Sequence, residues 1–156
     1  MEKYHDNEWG KPVHDDNVHF EFLILEAAQA GLSWLTVLKK REGYRKAFVN
    51  FNVKKVATFT QQDVERLMKN PEIIRNRTKI ESTITNAQAF INIQKEWGSF
   101  EAWLNRFKAI ALTRGVGWAM LYYDKKEKRL LSTWVDEQHV GQLQGCALIL
   151  GLDMWE

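Results

Sequence analysis

Phe22-Leu23-Ile24-Leu25-Glu26-Ala27-Ala28-Gln29-Ala30-Gly31-Leu32-Ser33-Trp34 is the stretch whose reading decides the fold. With Phe20 ahead of it, the apolar residues Leu23, Ile24, Ala27 and Ala30 recur at helical spacing and predict a helix from about Val18 to Gly31. Gly31 is a plausible stop, and Ser33 is placed to cap a second helix from Trp34 to Arg41. That helix carries Trp34, Leu35, Val37 and Leu38, then Lys39-Lys40-Arg41. Cations in a last helical turn favour the helix dipole. No charge other than Glu26 stands between Glu21 and Lys39. A carboxylate in so apolar a stretch sits either on the wet edge of its helix or in a lined pocket, where it needs a partner or a function.

Outward from this pair the helical pattern continues. Thr60 followed by Asp63 resembles a capping box opening a helix from Asp63 to Met68. Asn70-Pro71 is a turn signal. Ile80, Ile84, Ala87 and Ile91 form one stripe of a long helix that Gly98 ends, and Phe100, Trp103, Leu104 and Phe107 form a shorter stripe. No alternating strand pattern of any length precedes residue 110, so the expected class is all-α. Arg114-Gly115-Val116-Gly117 reads as a break, and beyond it Leu130 to Val135 and Ala147 to Leu150 fit helix or strand equally. The division expected is a helical domain over 1–105 and a divergent segment over 106–156.

The 156 residues suffice for one core, and 45% hydrophobic with 27% charged residues is ordinary for a globular chain. No stretch is long and apolar enough to span a bilayer, and Met1 to His5 lacks the apolar core of a signal peptide, so a cytoplasmic location is expected. A single cysteine, Cys146, excludes an internal disulfide framework and any multi-cysteine metal site. The net charge of +2 is unevenly spread: Lys39 to Lys79 is about +8, whereas Met1 to Leu38 is about −5. A basic block suits a polyanion, and solvated helix faces give the same pattern.

Three further features can carry chemistry. Tyr4-His5-Asp6-Asn7-Glu8-Trp9-Gly10 mixes aromatics, a histidine and carboxylates, and reads as a polar loop docked by two rings or as part of a site. Trp34, at a helix start, is either core or the wall of a slot for a flat ring. Arg75-Asn76-Arg77-Thr78-Lys79 follows a turn and suits phosphate contacts or a solvated helix start. Lys39, Lys40, Arg41, Arg75, Arg77 and Lys79 are therefore the candidate phosphate contacts.

Taken together, Tyr4–Gly10 (YHDNEWG), Leu25–Trp34 (LEAAQAGLSW), Thr36–Phe48 (TVLKKREGYRKAF) and Ile73–Ile80 (IIRNRTKI) resemble the DNA-3-methyladenine glycosylase I family over about two thirds of the chain. The resemblance implies a helical DNA-repair enzyme of the helix-hairpin-helix superfamily, which flips 3-methyladenine out of DNA and hydrolyses its N-glycosidic bond. It implies double-stranded DNA containing alkylated adenine as partner, no membrane, and action as a monomer. It turns the six candidate phosphate contacts into candidate DNA-binding residues. Glu26 matches the glutamate that contacts the methylated base and is assigned to recognition and electrostatic stabilisation. Trp34 matches the stacking tryptophan, and Tyr4 and Trp9 match wall residues.

The chain departs from the family at both ends. A Cys-x-Trp segment upstream of Tyr4 is missing, as are a late Phe-Val-Gly hairpin and a His-x3-Cys pair. The family's zinc joins these cysteines and the late histidine to the residue matching His5. Here His139 and Cys146 stand seven apart, so a complete zinc site is not expected. Beyond about Asn105 the match stops abruptly. This reads as a different frame entering near codon 105, with a start at an internal methionine, or else as a genuine variant with a replaced C-terminal half. The runner-up function is a relic that keeps the base pocket without the DNA-gripping hairpin. A helical interaction domain unrelated to nucleic acid is a third reading.

Overall fold

The computed structural model describes residues 2–112, 117–136 and 143–153. The chain divides into two compact units, residues 1–100 and 101–156.

The first unit is helical. Its elements are α1 (Glu2–Asn7), α2 (Asp16–Gln29), α3 (Trp34–Ala47), a short 3-10 turn (Val49–Phe51), α4 (Val53–Val56), α5 (Gln61–Met68) and α6 (Arg77–Trp97). The sequence explains most of the boundaries. Asp15 caps α2 by accepting from the amides of Asn17 (2.9 Å) and Val18 (3.0 Å). Ser33 caps α3 through the Thr36 amide at 3.2 Å, as its position predicts. Asn76 does the same for α6 through Lys79. Gly31 and Gly98 stand at φ 79° and 84°, in the left-handed region that suits glycine after a helix.

The core of this unit is built on α2, whose Phe20, Ile24, Leu25 and Ala28 are buried. Phe20 meets Phe90 of α6 edge-on at 5.5 Å, and Phe90 stacks on Phe100 at 4.3 Å. The buried face of α6 runs through Ile80, Thr83, Ile84, Ala87, Phe90 and Ile93, so its far end turns on Phe90 and Ile93 rather than on the expected Ile91. Asp16 ties the start of α2 to the far end of α6, accepting from the Gln94 side chain at 2.6 Å and from the Phe100 amide at 3.2 Å.

The second unit overturns the all-α expectation. After α7 (Phe100–Ala111) come three strands, β1 (Trp118–Asp124), β2 (Arg129–Val135) and β3 (Cys146–Asp153). They form an antiparallel sheet in the order β2-β1-β3. Trp118 pairs with Val135 and Asp124 with Arg129, while the β1–β3 ladder is irregular between Leu121 and Tyr122. Asp124 shapes the β1–β2 turn by accepting from the Lys126 and Glu127 amides at 2.9 and 3.0 Å. Met120, Tyr122 and Val135 form the buried cluster, with Trp118, Leu131 and Cys146 against it. The physical reason for the failed expectation lies in β1. Ala119, Met120, Leu121 and Tyr122 are all buried, so the strand reads as an unbroken apolar run rather than an alternation. Of the two segments left open between helix and strand, both are strand.

Two local contacts give tests. Gly43, inside α3, lies so close to the loop before α6 that a Cβ there would overlap the backbone carbonyl of Glu72. Gly43→Ala is expected to cost about 1–3 kcal/mol despite alanine's better helix propensity, read by denaturant unfolding. The predicted capping box is present: Asp63 Oδ2 accepts from the Thr60 amide at 2.9 Å. That bond, with help from Arg66, holds the Asp63 carboxyl below the usual carboxylate range. A group depressed in the folded state stabilises above its unfolded pKa and loses that contribution as pH falls. Asp63→Asn is therefore expected to lower stability by about 1 kcal/mol at pH 7, and the gap to the unmodified chain should close as the pH drops below 4.

Candidate base-binding site

The first unit carries a cavity of about 270 Å³ lined by Tyr4, His5, Trp9, Glu26, Gln29 and Trp34. That is small beside the roughly 300–1,000 Å³ of sites for drug-sized ligands, and it suits one flat ring system. Three elements build it. Helix α1 and the turn after it present Tyr4, His5 and Trp9; the last turns of α2 present Glu26 and Gln29; the start of α3 presents Trp34. The four residues expected to bind substrate, Tyr4, Trp9, Glu26 and Trp34, thus line one cavity.

The rings are set at defined angles. Tyr4 meets Trp34 edge-to-face at 5.5 Å and 63°. His5 stacks on Trp9 at 5.3 Å and 18°, leaving Trp9 64% exposed. Burial, then the Glu26 and Glu8 carboxylates, push the Tyr4 hydroxyl up from its ordinary pKa, with the Arg41 charge foremost among the effects that oppose them. Tyr4 therefore stays a neutral hydroxyl at physiological pH. Glu26 is exposed and its negative charge is felt at Tyr4.

Two residues of the lining were missed by sequence reasoning as base contacts. Gln29 follows Glu26 by three residues and shares its helix face, a periodicity that was available. Its side-chain amide donates to the Leu32 carbonyl at 3.1 Å, bracing the turn that leads to Trp34. His5 lines the cavity as well, where only a metal role had been expected of it.

That metal role is corrected. Among the described residues no three His, Cys, Asp or Glu side chains converge as a metal site would require. His5 Nδ1 is 3.0 Å from Asp6 Oδ1 and its ring is stacked on Trp9, while Cys146 packs on the buried cluster of the sheet. His139 lies outside the described residues. The described residues do not fit zinc.

The six candidate DNA-binding cations part company. Lys39 and Arg75 are exposed. Lys40 donates to the Pro71 carbonyl at 2.7 Å. Arg77 pairs with Glu65 at 2.6 Å. Lys79 donates to the carbonyls of Ala28 (2.8 Å) and Ala30 (2.6 Å), closing the C-terminal end of α2 where a cation suits the helix dipole. Arg41 turns inward and is 8% exposed, with its Nε on Glu21 at 2.6 Å and its Nη1 on both oxygens of Glu8 at 2.9 and 2.7 Å. Its guanidinium is committed to carboxylates, not presented to solvent.

Comparison with known proteins matches part of the chain to the methyladenine glycosylases. The DNA-3-methyladenine glycosylase of Haemophilus influenzae is 51% identical over 92 residues, which is 59% of this chain and 50% of that protein. The solved structure of 3-methyladenine DNA glycosylase I from Staphylococcus aureus, determined for its recognition of 3-methyladenine, superposes with a TM-score of 0.66 at 45% identity, covering 67% of this chain and 56% of that one. A different relative is the manganese superoxide dismutase of Haloarcula hispanica, 44% identical over 64 residues, or 41% of this chain and 44% of that protein. The chain spans about half the length of the curated glycosylases it matches. A model of the methyladenine glycosylase family matches residues 1–121, more than three quarters of the chain, and the chain belongs to that family.

Proposed function

We propose that the chain binds 3-methyladenine flipped from alkylated duplex DNA and hydrolyses its N-glycosidic bond. The observation that carries this reading is one small cavity walled by Tyr4, Trp9 and Trp34 with the Glu26 carboxylate on its lining. The methylated nucleoside is cationic, and electron-rich ring faces attract a flat cation. Glu26 accepts hydrogen bonds from the purine edge and adds Coulomb attraction while the positive charge persists. When the sugar–nitrogen bond breaks, its electron pair passes to the base and neutralises it. Water adds to the sugar carbon and releases a proton. A positively charged base leaves readily, so this step needs no strong acid, and the site's task is to hold the base outside the stack. The neutral Tyr4 hydroxyl serves as a hydrogen-bond donor at the cavity wall.

Of the six candidate cations, exposed Lys39 and Arg75 are the ones most available to phosphates, and Arg41 is not part of that proposal. No helix among the described residues is long and apolar enough to cross a membrane. The test is release of base from alkylated duplex DNA at two salt concentrations. Release that weakens steeply with salt supports the enzyme. Binding of free 3-methyladenine without release from duplex supports the relic instead.

A second reading concerns the C-terminal part of the chain. The dismutase match spans 64 residues and the glycosylase matches span 92 and 97, so the two kinds of match together are as long as the chain or slightly longer. The sequence character changes near residue 105, and the compact units part after Phe100. These three facts favour a chain whose C-terminal segment is of dismutase type, the replaced C-terminal half rather than a shifted frame. On this reading β1–β3 take no part in base binding. Hydrogen exchange with and without 3-methyladenine is expected to show protection within residues 2–34 and none within 118–153; protection across the sheet would contradict it.

Glu26→Ala is expected to weaken binding of free 3-methyladenine roughly 10- to 100-fold, the worth of hydrogen bonds to a charged acceptor. Because Glu26 is exposed, the melting temperature should move by no more than about 2 °C. Calorimetric titration beside a thermal melt checks both, and unchanged affinity would remove Glu26 from the site.

A further inference from the structure

We infer that Arg41 is a positioning residue: through Glu8 it holds the segment that forms the outer wall of the cavity. The inference builds on the base-pocket reading above. Tyr4, His5 and Trp9, half of the lining, sit on α1 and the turn after it. Helix α1 has six residues and none is buried. So short a helix is not stable by itself. Its own bonds, Glu8 and Trp9 amides to the Tyr4 carbonyl at 2.9 and 3.0 Å and the Asn7 side chain to Lys3, are internal and fix nothing to the rest of the unit.

Attachment comes from two sources. Tyr4 rests against Trp34 and Phe22, with ring centroids 5.5 and 6.3 Å apart. Glu8 is the other source, with both carboxylate oxygens on Arg41 Nη1. Arg41 is itself anchored three ways. Its Nε donates to the buried Glu21, its guanidinium lies over the Phe22 ring at 5.1 Å, and its backbone belongs to α3. Arg45 completes the group by donating to Glu21 at 2.8 and 3.3 Å. Two guanidinium groups thus face Glu21 and Glu8, with Glu42 on the outer side of Arg45.

The asymmetry of this group separates positioning from folding. Removing Glu8 leaves Arg41 paired with Glu21, so no buried charge is orphaned. Removing Arg41 strips Glu21 of its shortest partner and endangers the fold. Glu8 is therefore the residue to change. The experiment is hydrogen exchange by mass spectrometry on the full chain, comparing the unmodified protein with Glu8→Ala and Glu8→Asp. In Glu8→Ala the amides of residues 2–10 are expected to exchange at least 10-fold faster while those of α2 and α3 stay as they were. Affinity for free 3-methyladenine should fall by about 10-fold with kinetics of association affected more than the melting temperature. Glu8→Asp, which keeps the charge on a shorter arm, should recover part of both losses. Unchanged exchange in residues 2–10 would overturn the inference, as would acceleration spread equally over α2 and α3, which marks a purely structural role. If the exchange behaves as expected but the unmodified chain fails to bind 3-methyladenine, the base reading fails and the tether stands.

Discussion

The helical unit depends on one buried guanidinium. Arg41 is 8% exposed and Glu21, which receives its Nε, is 6% exposed. A charge so far from water is tolerated only where its donors meet carboxylates in good geometry, and here two carboxylates from different parts of the chain answer it. Glu21 lies on α2, Arg41 and Arg45 on α3, and Glu8 just past α1. The pairing therefore sets three segments in fixed register, and these same segments supply all the lining of the cavity. Hydrophobic burial around Phe20, Ile24 and Leu25 gives the unit its stability, but it is non-directional. The orientation of Tyr4 and Trp9 toward Glu26 and Trp34 needs directed bonds.

A second directed contact works from the opposite side. Lys79 reaches from α6 to the carbonyls of Ala28 and Ala30, and Gln29 reaches to Leu32. Together they fix the tight passage from α2 to α3, where Gly31 takes a left-handed backbone and Ser33 opens the next helix. Glu26 and Trp34 stand on either side of that passage. A helix end held at its carbonyls and a helix start held at its amide cap leave little freedom between them. This is how a stretch of ordinary apolar residues comes to place a carboxylate and an indole on the same small cavity.

Much of this was legible in the sequence, for reasons that are local. Caps, the stop at Gly31 and the Thr60–Asp63 box are decided by a few neighbouring residues. The pocket residues followed from a resemblance carried by two long motifs. What was not legible depends on distant contacts. Lys39-Lys40-Arg41 reads as one basic cluster, yet Arg41 follows Val37 by four residues and precedes Tyr44 by three, and all three are buried on one face of α3. That periodicity was the signal for its inward turn. Helix α1 left no trace because none of its residues is buried, so no apolar stripe marks it. The sheet was missed because four consecutive residues of β1, Ala119 to Tyr122, are buried, which erases the alternation that identifies a half-exposed strand. The metal role considered for His5 came with the family resemblance and not from the residues, and the described side chains near His5 do not form a ligand set.

The central claim is that Tyr4, Trp9, Glu26 and Trp34 form a receptor for a methylated purine. The most direct test is a nuclear magnetic resonance titration of the chain with 3-methyladenine, and with adenine as control. The account predicts saturable shifts concentrated at residues 4–9, 26–29 and 34, with adenine at least 10-fold weaker. Equal response to the two bases, or shifts concentrated anywhere else in the chain, would contradict it.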